Sequence, residues 1–217
     1  MVVSDGAWVE DWLSPARFGT YLRLAGGNRV RALELHEWSA RINAALLHDF
    51  GHLEVGLRNL YDRQLQQAAV AGESHWTEPT SFLTLFPHST GRDRRTHGDL
   101  ETARRKAGGP SAPSGKVVAE LTFGFWVLLT SSRHIPTIWT PYLQSAYPSG
   151  SRPDRIHKGL DELRKARNRV AHHEPAHPAA VNIVTRRLRH YALYVSREVA
   201  DYIDQTSDVK TLLAARP

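Results

Sequence analysis

The sequence predicts an all-α fold, a helical bundle with an inserted basic segment, and three observations carry that expectation. Apolar residues recur at three- and four-residue spacing over long stretches, first Ile42, Leu46, Phe50, Leu53, Leu57, Leu60 and Leu65, then Ile156, Leu160, Leu163 and Val170. Strict apolar–polar alternation, the mark of a half-buried strand, survives only in short apolar runs. Helix punctuation falls between those stretches, at Ser14-Pro15, Gly26-Gly27, Asn28 and Gly108-Gly109-Pro110. With 217 residues, 41% of them hydrophobic and 23% charged, residues 1–217 read as one domain with enough apolar material for a core.

Taken in order, Ser14 and Pro15 supply an N-cap and a first-turn proline for a helix that Gly26-Gly27 closes. Asn28 caps the next helical stretch, which extends to about residue 71. That length is unusual for one helix, and Gly51 is the expected break. Residues 72–96 lack clean periodicity and hold the breakers Pro79 and Pro87. Residues 97–106 are expected to form a short helix stopped by Gly108-Gly109-Pro110, and 111–115 is turn chemistry throughout. Residues 117–130 are apolar on most sides, as in a central buried helix with Phe125 and Trp126 in the core. A loop carrying Pro136, Pro141 and Pro148 follows. A helix then starts at Arg155 and must stop before Pro175. The last helix spans about 179–202, with Ile183, Leu188, Tyr191, Val195 and Val199 facing inward.

Composition excludes several chemistries. The chain has no cysteine, which removes disulfides, thiolate nucleophiles and cysteine zinc sites. Lys and Arg exceed Asp and Glu by 28 to 22, a net charge of +6 that suits a polyanionic partner. The opening MVVSDGAWVEDW carries acids and no apolar run, so no secretory signal is expected. The most apolar segment, 117–129, is too short and too interrupted by Glu120 and Gly124 for a membrane span. A soluble cytoplasmic protein that contacts no membrane is the expectation.

The helix before Pro175 holds the residues that carry chemistry. Its apolar stripe lacks one member, at position 167, and the residue there is an arginine. An arginine facing a core or an interface costs several kcal/mol unless an anion or hydrogen-bond partner meets it. Arg167, Asn168 and His172 place a guanidinium, an amide and an imidazole within about one and a half turns. A guanidinium offers paired donors to a phosphate, and imidazole as a class exchanges protons near neutral pH. Pairing of Arg167 with a carboxylate on a neighbouring helix, and a His172 that merely favours the negative helix end, account for the same residues without chemistry.

The surrounding residues divide similarly. Glu54 and Arg58 are either a surface ion pair of about 0.3–0.5 kcal/mol or, with Asn59, a brace for Arg167 from the next helix. His173 and His177 have the four-residue spacing of paired zinc ligands, but Pro175 breaks the register between them, so neither a metal nor another cofactor is expected. Glu174 suits a carboxylate that orients an imidazole or pairs with an arginine. Six basic residues, Arg92, Arg94, Arg95, Arg104, Arg105 and Lys106, outnumber Asp93, Asp99 and Glu101 between 91 and 106. They form either a solvated face or a contact to an RNA backbone, the latter assigned to Arg94, Arg95, Arg104 and Arg105.

Arg167-Asn168-x-x-x-His172 resembles the R-x4-6-H motif of the HEPN superfamily (higher eukaryotes and prokaryotes nucleotide-binding domains). The longer string RNRVAHHEP is similar to its bacterial Abi-like (abortive infection) branch. Other segments resemble the same branch in the same order: Ala32-Leu33-Glu34-Leu35-His36-Glu37-Trp38, then Leu53-Glu54-Val55-Gly56-Leu57-Arg58-Asn59, then Leu121-Thr122-Phe123-Gly124-Phe125-Trp126. The resemblance covers roughly residues 15–200, with the basic stretch at about 87–115 divergent. It implies a HEPN-like bundle and metal-independent endoribonuclease activity at a groove between two protomers of a homodimer. Arg167 and His172 would be catalytic, Asn168 would orient the site, and Glu54, Arg58 and Asn59 would brace it. It also implies RNA as substrate and a setting in bacterial defence or a toxin–antitoxin pair, with an antitoxin or defence protein as partner. The alternative is a non-catalytic HEPN module that binds RNA or a partner protein; the intact Arg167…His172 pair speaks against it.

Overall fold

One helix organises the molecule. In the computed structural model, which describes residues 6–87, 91 and 93–217, α3 (Arg29–Leu65) runs unbroken for 37 residues, about 55 Å. The side chain of Asn28 caps it by accepting from the Arg31 N–H at 3.0 Å. The break expected at Gly51 does not occur. A glycine inside a helix costs about 1 kcal/mol, and the buried run Ile42, Leu46, Phe50, Leu53, Leu57 and Leu60 on either side outweighs it.

Every regular element among the described residues is helical. Before α3 come α1 (Trp8–Leu13) and α2 (Pro15–Leu24), whose start Ser14 caps through the Arg17 N–H. With the first turns of α3 they close a small core of Val9, Leu13, Phe18, Tyr21, Ala25, Ala32 and Leu35. The main core gathers around the rest of α3. Residues 72–96, aperiodic in sequence, include α4 (Pro79–Leu85), and α5 (Arg94–Ala107) follows with Gly108 closing it at φ 123°.

Two expectations for the middle of the chain are corrected. The apolar run 117–130 is not one helix but α6 (Ser114–Glu120) and α7 (Phe123–Leu128), separated where Leu121 and Thr122 adopt extended backbone. The kink turns Phe125 and Trp126 into the core, where both are buried. The proline-bearing segment after it is not a loop: Ile135–Leu143 winds as a wide π-helix. That winding accommodates Pro141, which lacks the N–H an α-helix would require of it.

The C-terminal helices are α8 (Pro153–Ala171), α9 (Pro178–Val195), α10 (Arg197–Thr206) and α11 (Val209–Ala214). The single last helix expected over 179–202 breaks at Ser196, whose backbone is extended and whose hydroxyl accepts the Val199 N–H at 3.1 Å to open α10. Ile183, expected inside, is 47% exposed, while Val181, Val184, Leu188 and Tyr191 form the buried side. α9 seats closely against both helices that hold the site. Val195 approaches to 3.1 Å of where a β-carbon at Gly56 would stand, and a β-carbon at Gly159 would overlap the Tyr191 hydroxyl, which donates to the Ile156 carbonyl at 2.9 Å. No described helix is long and apolar enough to cross a membrane.

Candidate functional site

Helix α8 buries Ile156, Leu160, Leu163, Ala166 and Val170. The stripe therefore has no gap: Ala166 fills it, and Arg167 stands one residue, roughly 100°, to its side. This corrects the expectation that Arg167 occupies an apolar position. Its side chain keeps 40% exposure, so the penalty of a buried cation does not arise.

Arg167 nonetheless has a partner across the helix pair. Its Nε donates to Oε1 of Glu54 at 3.0 Å, joining α8 to α3. An ion pair this open contributes about 0–1 kcal/mol to stability, so its main effect is to fix where the guanidinium lies. One of five N–H donors is used there, which leaves the guanidinium able to take a phosphate. Of the three residues expected to brace the arginine, Glu54 makes this contact. Arg58 turns instead to the side chain of Asn59, at 3.4 Å, on the exposed side of α3.

The end of α8 is built with care. His172 caps the helix, with its N–H on the Asn168 carbonyl at 2.9 Å. His173 takes φ 55°, and its N–H returns to Val170 at 3.0 Å while that of Glu174 returns to Arg169 at 3.1 Å. These are the two bonds of a Schellman closure, with histidine where glycine is usual. The turn is then pinned to α3 from outside. Asn43 Nδ2 donates to the Glu174 carbonyl at 3.0 Å, and the Ala176 N–H donates to Ser39 Oγ at 2.8 Å. From α2, Arg17 donates to the His172 carbonyl at 3.4 Å. The backbone of the turn is thus held by three side chains while His172, His173 and Glu174 stay exposed.

Ser39, Asn43 and Arg17 were not singled out by sequence. The signal for two of them exists: Ser39 and Asn43 are polar residues four apart, both buried, that interrupt the apolar face of α3 beside Trp38, Ile42 and Leu46. A polar residue at such a position needs a hydrogen-bond partner, and here the partner is the turn. The carboxylate of Glu174 meets Arg169 at 4.0 Å, the arginine pairing expected as one of its two roles. His173 and His177 do not share a helix face, since α8 ends at Ala171 and α9 begins at Pro178. Among the described residues no group of three His, Asp or Glu side chains is arranged to hold a metal ion.

Of the basic segment, Arg92 lies outside the described residues. Arg94, Arg95 and Arg105 are exposed on α5, with Arg95 3.9 Å from Asp99. Arg104 differs: it is half-buried and its guanidinium donates to the Thr77 carbonyl, a fold contact between α5 and the chain before α4. Arg95 also lines an open cleft of about 340 Å³ with Arg133, His157, Asp161 and Arg164. His157, Asp161, Arg164 and Asn168 follow at spacings of four, three and four along α8. One polar face of that helix therefore runs from the cleft toward His172. Asp161 moderates the charge by binding Arg164 at 2.7 Å and Lys165 at 2.8 Å, and these cations hold its carboxyl below the usual range against the opposing effect of burial.

Compared with family models, curated proteins and solved structures, the chain matches none of them.

Proposed function

We propose that this chain is a metal-independent endoribonuclease of the HEPN type that works as a homodimer. The observation that carries this is the Arg167–Glu54 bond at 3.0 Å together with an exposed His172 on a turn whose backbone is fixed by Ser39, Asn43 and Arg17. A held cation and an exposed imidazole on a turn with a fixed backbone are the two groups that RNA transesterification needs. In that reaction the 2′-hydroxyl oxygen attacks the adjacent phosphorus, the bond to the 5′-oxygen breaks, and a 2′,3′-cyclic phosphate and a 5′-hydroxyl result. One imidazole takes the 2′-hydroxyl proton, an imidazolium gives one to the leaving oxygen, and Arg167 bears the charge on the non-bridging oxygens.

Two proton carriers are wanted and one His172 is supplied by each chain. Residues five apart on a helix also diverge by roughly 140°, so Arg167 and His172 of one copy point to different sides of α8. A second copy placed across the helix supplies the complementary member of each pair. The cleft bearing Arg95, Arg133 and Arg164 extends the same face and suits the phosphates of a bound strand.

The test incubates end-labelled RNA with purified protein in excess EDTA, with wild type, His172→Ala and Arg167→Ala side by side and sedimentation on each. Wild type is expected to cleave as a dimer. His172→Ala should lose about 10²–10⁴-fold in rate with its melting temperature kept, because the side chain is exposed. Arg167→Ala should be inactive and bind RNA more weakly. Cleavage that requires Mg²⁺, or a His172→Ala protein as fast as its parent, overturns the metal-independent reading at this site, and a wild type that binds RNA but never cuts it leaves a non-catalytic module.

A further inference from the structure

A second concave site adjoins the turn that carries His172. An open cavity of about 410 Å³ lies between α1, α2, α3 and His173, walled by Trp12, Tyr21, His36, Arg17, Asn43 and His173 among others. Its volume falls in the range of small-molecule sites, about 300–1,000 Å³. Its lining combines two chemistries. Trp12 is 61% exposed although tryptophan is costly to leave in water, and it stacks on Trp8 at 5.9 Å between ring centroids. His36 stands edge-on to Trp12 at 5.3 Å and to Tyr21 at 5.2 Å, so three rings bound one side of the space.

Apart from Leu13 and Ala40, the other lining groups are cationic or polar. Arg17 reaches the His172 carbonyl, and His173 closes the rim. Burial lowers the His36 imidazole below its usual range; Arg17 and His173 push the same way, against Glu37. Glu37 is the nearby acid, and it is itself paired with Arg41 at 2.8 Å. On the floor, Ser39 and Asn43 are the residues that fix the turn at 174–176. The cavity and the exposed imidazole of His172 therefore share one rigid frame.

We propose that this cavity binds one nucleotide of a single-stranded RNA, with the base stacked on Trp12 and a flanking phosphate met by Arg17. Every base has a π-face, so an exposed indole recognises single strands and excludes a duplex whose bases are already stacked. A self-association surface is the other use for exposed tryptophans, but it gives no reason for Arg17, His36 and His173 to line the recess. The proposal rests on the ribonuclease reading for placing the scissile phosphate near His172, while the chemistry of the cavity stands on its own residues.

The experiment measures binding on the His172→Ala background, so that cleavage does not interfere. The probes are adenosine 5′-monophosphate, followed by titration calorimetry, and a short fluorescein-labelled single-stranded RNA, followed by anisotropy. Trp12→Ala is expected to weaken binding of both probes about tenfold, with Trp12→Phe restoring much of the affinity. His36→Gln and Arg17→Gln should weaken binding further at low salt. Trp12 lies outside the core, and an unchanged melting curve verifies the fold of each variant. Unchanged affinity in Trp12→Ala and His36→Gln overturns the proposal, as does Trp12→Ala converting a dimer to a monomer with RNA affinity per chain kept. Wild type that cleaves RNA while Trp12→Ala binds normally removes the cavity alone. Wild type that never cleaves while Trp12→Ala loses nucleotide binding removes the ribonuclease reading alone.

Discussion

Glu54 Oε1 accepts a hydrogen bond from Arg167 Nε across 3.0 Å, so a carboxylate on α3 sets the lie of a guanidinium on α8. Both side chains are partly exposed, and the pair contributes little to stability. Glu54→Ala should therefore leave the melting temperature within about a degree or two of wild type. RNA cleavage should fall about 10–100-fold, the usual consequence of letting a positioned group wander. Glu54→Gln keeps an acceptor oxygen and should fall between the two. Rates from a gel assay, read beside thermal melts, check this; a Glu54→Ala protein with full rate would reduce the bond to a surface bridge.

His173 holds a left-handed backbone at φ 55° to close α8. A β-carbon is disfavoured there by about 1–2 kcal/mol, an opposition glycine escapes at some entropic cost in the unfolded chain. His173→Gly should raise the urea midpoint slightly, by up to about 1 kcal/mol of stability. His173→Val should lower it by more than that, because a β-branched residue tolerates this conformation worst. Equal midpoints for the two variants would contradict the geometry.

The basic segment divides in two. Arg104→Gln loses a charged hydrogen bond to the Thr77 carbonyl and should cost about 1.5–3 kcal/mol, seen as a lower melting temperature. Arg94, Arg95 and Arg105 are exposed, and changing all three to Gln should leave the melt unaltered. Titrations of RNA binding against salt should instead become flatter, by up to about one unit of slope per lost phosphate contact. An unaltered slope would return these arginines to the solvated face of α5.

Glu73 anchors the start of α4: its two carboxylate oxygens accept the Thr80 N–H at 2.8 Å and the Ser81 N–H at 2.6 Å. Desolvation would raise its pKa, but hydrogen bonds from Ser81 and Thr80 outweigh that and hold it at about 2, below the ordinary 4.5. A carboxyl depressed in the fold stabilises it above the unfolded value, and the gain disappears as pH falls from about 4.5 toward 2. Glu73→Gln should thus be less stable than wild type at neutral pH and nearly equal at about pH 2. Urea midpoints along a pH series measure the convergence; parallel curves would refute it.

Much of this was legible in the chain. Periodicity determined the all-helical content, the buried side of α3 from Ile42 to Leu65, and the stop of α8 before Pro175, because each follows from spacing or from a missing proline N–H. It also brought Arg167, Asn168 and His172 onto one helix end. The tertiary structure alone decided the rest. A turn of 100° per residue leaves Ala166 and Arg167 nearly equivalent in a stripe that skips from Leu163 to Val170, and only the packing of α3 and α9 chose the alanine for the interior. The partner of Arg167 lies 113 residues away, and which carboxylate meets it depends on the lateral register of α3 against α8, to which local spacing is blind. Ser39 and Asn43 show the same limit. The sequence marks them as polar residues on an apolar face, but only the docking of a turn more than 130 residues distant says what they hold.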